Sequence, residues 1–164
     1  MAQSRKPGKS KTPPPPKDAI ALLKADHRQV EEWFEDFEGT RSADKKQKLA
    51  AQICGALRVH TTLEEEIFYP AFIQATRDKD IHHEAIVEHA GAKDLISQIE
   101  QSGPADDYFD SKVKVLSEMI KHHVKEEEEP GGMFAEAKAS KMDLEELGGE
   151  LLKRKEELTR SPAL

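Results

Sequence analysis

The sequence predicts an all-α protein: an antiparallel up-down four-helix bundle with a disordered N-terminal tail and a short C-terminal helical extension. Three observations predict it. Four segments carry apolar side chains at alternating steps of three and four, the helical period. Short breaks rich in Gly, Pro, Ser or Asp separate them, which favours antiparallel neighbours. No segment alternates apolar and polar residues as a half-buried strand does.

Residues 1–17, MAQSRKPGKSKTPPPPK, hold five Lys or Arg, no acid and no large apolar residue after Met1. Such a segment buries too little surface to offset the cost of ordering, so it is expected to be disordered. Pro13 to Pro16 favour a short polyproline II stretch. The bundle is expected over residues 18–140. Its first helix follows an Asp18 N-cap and carries Ile20, Leu23, His27, Val30, Phe34 and Phe37 on one stripe, with Gly39 suited to its end. The second runs from about Ser42 to about Thr76 through Leu49, Ile53, Leu57, His60, Glu64, Ile67 and Ala71. Pro70 removes a backbone donor and is expected to kink it.

The third helix is expected from about Ile81 to Ser102, with Ala85, His89, Ala92, Ile96 and Ile99 on one face. Gly103-Pro104 breaks the chain. The fourth begins near Ala105, carries Leu116, Ile120, His123 and Glu127, and ends at Pro130-Gly131-Gly132. Residues 141–164 form the extension, with a weak helix from about Asp143 to Leu158 interrupted by Gly148-Gly149.

Composition narrows the function. The chain has 164 residues, which argues for one domain, two at most. Its net charge is -7; without the five basic residues of the tail, 20 basic side chains face 32 acidic ones, or −12. A body this acidic makes nucleic acid an unlikely partner, and the basic tail reads as solubilising. The single cysteine excludes an internal disulfide framework and a cysteine-based zinc finger. No apolar run approaches the roughly 18 residues of a membrane span, and no signal-peptide core follows the N-terminus, so a soluble, cytoplasmic protein is expected.

Seven histidines remain to be placed. His27, His60, His89 and His123 each sit in the middle of one apolar stripe. One such histidine is ordinarily a satisfied core residue; four would each need buried hydrogen-bond partners of their own. His60-Thr61-Thr62-Leu63-Glu64 and His123-Val124-Lys125-Glu126-Glu127 repeat one motif, His-x-x-x-Glu, which puts imidazole and carboxylate on one helix face. Height along the bundle agrees. The midpoint of each successive histidine pair falls at a predicted turn: beside Gly39–Ser42, near Thr76–Asp80, and next to Gly103-Pro104.

Four imidazoles and two carboxylates in a bundle core are costly without a cation. Mixed nitrogen and oxygen ligands suit iron, manganese or zinc. Six are too many for one structural zinc and fit two metals bridged by carboxylates. The expected metal ligands are His27, His60, Glu64, His89, His123 and Glu127, with Glu64 and Glu127 as the bridges. Other metal-site patterns fit less well. No glutamate precedes a histidine by three, as a ferritin-like site requires, and His83-Glu84-Ala85-Ile86-Val87 lacks the second histidine of a zinc-protease helix. Cys54, Trp33 and Phe34 read as packing.

The sequence resembles the hemerythrin-like, or HHE cation-binding, family. The matching segments are Lys24-Ala25-Asp26-His27, His60 through Pro70, Glu88-His89, and His122 through Glu128. The resemblance covers about residues 18–140 and implies a four-helix bundle holding a non-haem di-iron centre, with the six ligands named above. It also exposes a departure. Oxygen-carrying members have a further histidine four residues before the one matching His89; here that position is Ala85. His82 faces the same way but lies two turns away. His83 and His122 are expected in solvent, and Glu31 and Glu84 are weaker ligand candidates. A di-iron protein that binds or senses O2, nitric oxide or peroxide, or handles iron, is the leading expectation. A peroxidase, catalase-like or nitric-oxide-oxidising enzyme is the second, and a helical interaction scaffold the third.

Overall fold

A computed structural model of the chain describes residues 16–160. The tail expected over residues 1–17 therefore lies outside the described residues up to Pro15, as do residues 161–164. Seven α-helices and one π-helical turn make up the described chain: α1 (Ala19–Gly39), α2 (Ala43–Leu63), the π-turn (Glu64–Phe68), α3 (Tyr69–Thr76), α4 (Lys79–Glu100), α5 (Phe109–Glu128), α6 (Met133–Ala139) and α7 (Leu144–Arg160). Among the described residues there is no strand, and no helix is long and apolar enough to cross a membrane.

Local chemistry sets the helix ends. The Asp18 carboxylate accepts from the Ala21 amide at 2.9 Å, and Asp78 accepts from Ile81 at 3.2 Å, so α4 starts before the expected Ile81. Ser42 caps α2 through the Lys45 amide. Arg77 ends α3 in the left-handed conformation, φ 60.

The bundle wraps two apolar cores. The chain enters through Ala19, Ile20, Leu22 and Leu23 in one core and passes to Val30, Phe34 and Phe37 in the other. It returns along Ala50, Ile53 and Leu57 to Leu63, Phe68, Tyr69 and Phe72. α4 crosses again from Ala85 to Ala92, Ile96 and Ile99, and α5 comes back from Phe109 through Leu116 and Ile120. α1 packs on α2, α2 on α4, α4 on α5, and α5 on α1. The alternating direction brings the middles of all four helices to one level.

Four sequence expectations are corrected. The second helix does not run as a single α-helix to Thr76: a π-turn stands just before Pro70. Pro70 cannot donate and its ring crowds the carbonyl four residues back, so the ladder widens ahead of it. The fourth helix starts at Phe109 rather than near Ala105, because residues 103–108 form successive turns held by Asp106 and Gly103. A short helix, α6, follows Gly131-Gly132 and lids one end of the bundle with Met133, Phe134 and Ala137. Gly148-Gly149 does not interrupt α7, which packs against α1 and α2 through Leu151. A Cβ at Gly148 would stand 2.8 Å from the Ala19 nitrogen, so the first of these glycines marks a close helix approach, not a break.

Candidate metal centre

Between the two cores, α1, α2, α4 and α5 bring His27, His60, His89 and His123 together, and the π-turn and the last turn of α5 add Glu64 and Glu127. All six residues are buried, none more than 5% exposed. His27 Nε2 lies 3.2 Å from His60 Nε2, and His89 Nε2 lies 3.2 Å from His123 Nε2. Two trios of ligand atoms result: His27, His60 and Glu127, and Glu64, His89 and His123. The carboxylates reach across both. Glu64 Oε1 is 3.0 Å from His60 Nε2 and 3.3 Å from His89 Nε2. Glu127 Oε1 is 3.0 Å from His123 Nε2 and 3.5 Å from His27 Nε2.

A second ring of carboxylates holds the outer nitrogen of every imidazole. His27 Nδ1 is 2.7 Å from Glu128, His60 Nδ1 3.0 Å from Asp26, His89 Nδ1 3.1 Å from Glu65, and His123 Nδ1 3.0 Å from Glu88. An Nδ1–H donated outward turns the Nε2 lone pair inward, the arrangement that orients a metal-ligating histidine. Three of these acids are themselves held by permanent cations: Asp26 by Lys155 at 2.5 Å, Glu65 by Lys93 at 2.6 Å, and Glu128 by Arg28.

The pattern is two-fold. The α1–α2 pair maps onto α4–α5, so that His27 matches His89, His60 matches His123, and Glu64 matches Glu127. Asp26 then matches Glu88, and Glu65 matches Glu128. Every histidine–histidine and histidine–carboxylate contact above has its counterpart under that exchange, whereas the Asp26–Lys155 pair has none at Glu88.

Electrostatics explain what holds the layer. Burial would lower the His60 pKa, but Glu64 and Asp26 outweigh it and push it up to about 10. His27 and His123 are raised for the same reason, against their own burial, by Glu127 with Glu128 and by Glu127 with Glu64. Burial would raise Glu64, yet His60, then Glu127 and His123 beside it, hold it well below the usual carboxylate range. Even so, neither oxygen of Glu64 or of Glu127 makes a well-formed hydrogen bond, the imidazole approaches above included. An ion taken from water into a protein interior costs on the order of a few kcal/mol unless fully paired. Four inward Nε2 atoms and four orphaned carboxylate oxygens are the donor set that a pair of borderline cations would satisfy. The residues present fit such a group.

Sequence reading missed the outer acids Asp26, Glu65, Glu88 and Glu128, whose role depends on which helix faces which. It also missed Tyr69. The Tyr69 hydroxyl lies 3.1 Å from His89 Nε2 and 3.4 Å from His123 Nε2, with the side chain fully buried. In a regular helix, residues five apart diverge; the π-turn bonds the Tyr69 amide to the Glu64 carbonyl and brings both side chains to the site. Pro70 was the available signal.

The weaker candidates lie elsewhere. Glu31 pairs with Arg28. His82 sets its edge against the Tyr69 ring at 5.7 Å, and His83 is exposed. His122, 63% exposed, sits 3.0 Å from Glu126 and 3.4 Å from Glu88, in a largely exposed group that also holds Glu84. Ala85 is buried beside Met133 in the apolar core. Burial pushes the Cys54 thiol up to about 12, so it is an inert core side chain.

On the side facing Val30, Leu57, Ala92 and Ile120, the four histidines border a cavity of about 20 Å³. It has room for about one water-sized molecule.

Comparison with known proteins agrees with this picture. The family model described as the hemerythrin HHE cation binding domain matches residues 18–130. The fold is similar to the crystal structure of an HHE cation-binding domain-containing protein from Mycobacterium kansasii, with a TM-score of 0.70, 22% identity, and 85% of this chain and 86% of that one covered. A protein named DNA nickase from Nostoc sp. (strain PCC 7120) is 28% identical over 107 residues, 65% of this chain. The matched stretch spans only 30% of that relative's length.

Proposed function

This chain belongs to the hemerythrin HHE cation-binding domain family, and from that premise we propose that it holds two iron ions in the histidine layer and binds or senses O2, nitric oxide or peroxide there. His27, His60 and Glu127 would hold one ion, and Glu64, His89 and His123 the other, with the two carboxylates bridging. The donor set also admits manganese or zinc.

The observation that carries the reading is the small cavity against the four imidazoles. It suits a diatomic molecule or peroxide and excludes an organic substrate. When bound, iron supplies a redox-active centre with exchangeable coordination positions. The chain's own residues do the rest. Val30, Leu57, Ala92 and Ile120 keep bulk water away from the ligand position. Asp26, Glu65, Glu88 and Glu128 fix the imidazole planes, and Glu64 and Glu127 supply the negative charge that balances the cations. Ala85 adds a methyl group where oxygen carriers place a histidine, which favours sensing or scavenging over reversible carriage.

The test is iron content after anaerobic Fe(II) loading and desalting, followed by titration with nitric oxide, O2 and peroxide. About two irons per chain and a spectral change completed by one equivalent of ligand are expected. Continued consumption of peroxide would move the enzyme reading ahead. Iron near zero in a fully helical protein would overturn the di-iron assignment.

A further inference from the structure

The two halves of the centre match at every histidine and carboxylate, but not at the position five residues beyond each glutamate. Beyond Glu64 stands Tyr69; beyond Glu127 stands Gly132. We infer that Tyr69 is a further metal ligand, its phenolic oxygen joining Glu64, His89 and His123, so that the two metal positions are chemically different. This rests on the di-metal reading and extends it.

The geometry carries the inference. The Tyr69 oxygen stands at 3.1 and 3.4 Å from the Nε2 atoms of the two histidines in that trio, which are themselves 3.2 Å apart. Those atoms surround one point, and an oxygen facing both Nε2 lone pairs faces any cation the imidazoles share. The ring is clamped there by Phe68 at 6.2 Å, by the edge of His82 at 5.7 Å, and by the backbone of the π-turn. The oxygen donor therefore comes from α3, while the histidine of oxygen carriers would have come from the Ala85 turn of α4.

The other half cannot follow suit. A Cβ at position 132 would stand 2.3 Å from the Glu126 carbonyl oxygen and 3.0 Å from that of Glu129, so the backbone there admits only glycine. In place of a donor, the Phe134 ring stacks on His27 at 5.9 Å with an interplanar angle of 9°. The His27–His60–Glu127 position thus has one donor fewer and an apolar ring beside it, which makes it the position that takes up the small ligand. With a cation held by His89, His123 and Glu64, Tyr69 would supply a phenolate oxygen, its proton being one of those a cation displaces on binding.

The experiment is visible absorption and resonance Raman spectroscopy of the Fe(III)-loaded full chain and of Tyr69→Phe. The wild type is expected to show a phenolate-to-iron charge-transfer band whose excitation enhances tyrosine ring vibrations. Tyr69→Phe should lose the band while retaining at least one iron per chain. Raman spectra of the wild type alone decide the matter if the variant fails to fold. Two irons without enhanced tyrosine vibrations would overturn the role of Tyr69 and leave the di-iron reading standing. No retained iron in the wild type would overturn both.

Discussion

Asp26 lies between His60 and Lys155: one carboxylate oxygen is 3.0 Å from His60 Nδ1 and the other 2.5 Å from the lysine Nζ. A residue of α7 is thereby tied to an imidazole in the middle of the bundle. Burial would raise the Asp26 pKa, but His60 and Lys155 together hold it below its ordinary value, so the acid stays ionised and can orient the ring. Asp26→Ala should leave the helices intact and weaken metal binding by roughly 10–100-fold, the usual cost of losing such a partner. Chelator competition alongside far-UV circular dichroism measures it. An unchanged affinity would mean the imidazole is positioned by packing alone.

Glu64 and Glu127 each touch a histidine of both trios, so neither can be lost from one position only. Glu64→Ala and Glu127→Ala should each reduce the iron content from about two to at most one per chain. Elemental analysis after desalting reads the ratio. Two irons retained in both variants would sink the bridging assignment.

The metal-free and loaded proteins should respond to pH in opposite senses. The His60 pKa is raised from 6.5 to about 10 in the fold. A raised histidine contributes its full stability below the unfolded value and loses it as pH rises through the folded one. The metal-free protein should therefore lose stability between about pH 6.5 and about pH 10. At the acid end the depressed Glu64 works the other way, and its contribution is lost as pH falls below the carboxylate range. Metal binding needs the imidazoles unprotonated, so affinity rises over the window in which the metal-free fold weakens. Thermal midpoints of both forms at pH 6.5 and 9.5 check this; parallel slopes would contradict it.

Gly148 and Gly149 are adjacent in sequence and opposite in consequence. A Cβ on Gly148 would meet the Ala19 nitrogen and the Asp18 carbonyl carbon, both at 2.8 Å, whereas one on Gly149 meets nothing within 4 Å. Gly148→Ala should destabilise by about 1–3 kcal/mol through overpacking. Gly149→Ala should stabilise by about 0.5–1 kcal/mol, the helix-interior gain of Ala over Gly. Urea unfolding of the metal-free protein separates them.

The same pair shows where the sequence stops being readable. Gly148-Gly149 looks like a helix break because composition cannot report that α1 approaches α7 at the first of them. Helical period and histidine register, by contrast, are local properties. They were enough to expect an all-α chain and to put His27, His60, Glu64, His89, His123 and Glu127 at one height. Glu65 and Glu128 were legible only as members of acidic runs. Their partners, His89 and His27, are 24 and 101 residues away, and only the packing of α2 on α4 and of α1 on α5 brings them together. Tyr69 escaped for a different reason: its direction depends on a change of helical register that Pro70 imposes one residue later.

Ala92 offers the sharpest test of where a small molecule binds. It is buried on α4 in the wall of the cavity, one turn from His89 and opposite Val30 and Ile120. Ala92→Leu would fill a space that holds about one water-sized molecule, without replacing a proposed ligand. Overpacking is expected to cost about 1–3 kcal/mol, which a bundle stabilised by bound metal should survive. Iron content should stay near two per chain while binding of nitric oxide or azide to the loaded protein weakens at least tenfold. Ala90→Leu, on the exposed face of the same helix, is the control for general effects on α4. Nitric oxide binding unchanged in Ala92→Leu would place the ligand on the Tyr69 side of the imidazole layer, because the Val30–Leu57–Ala92–Ile120 side would then be closed to it.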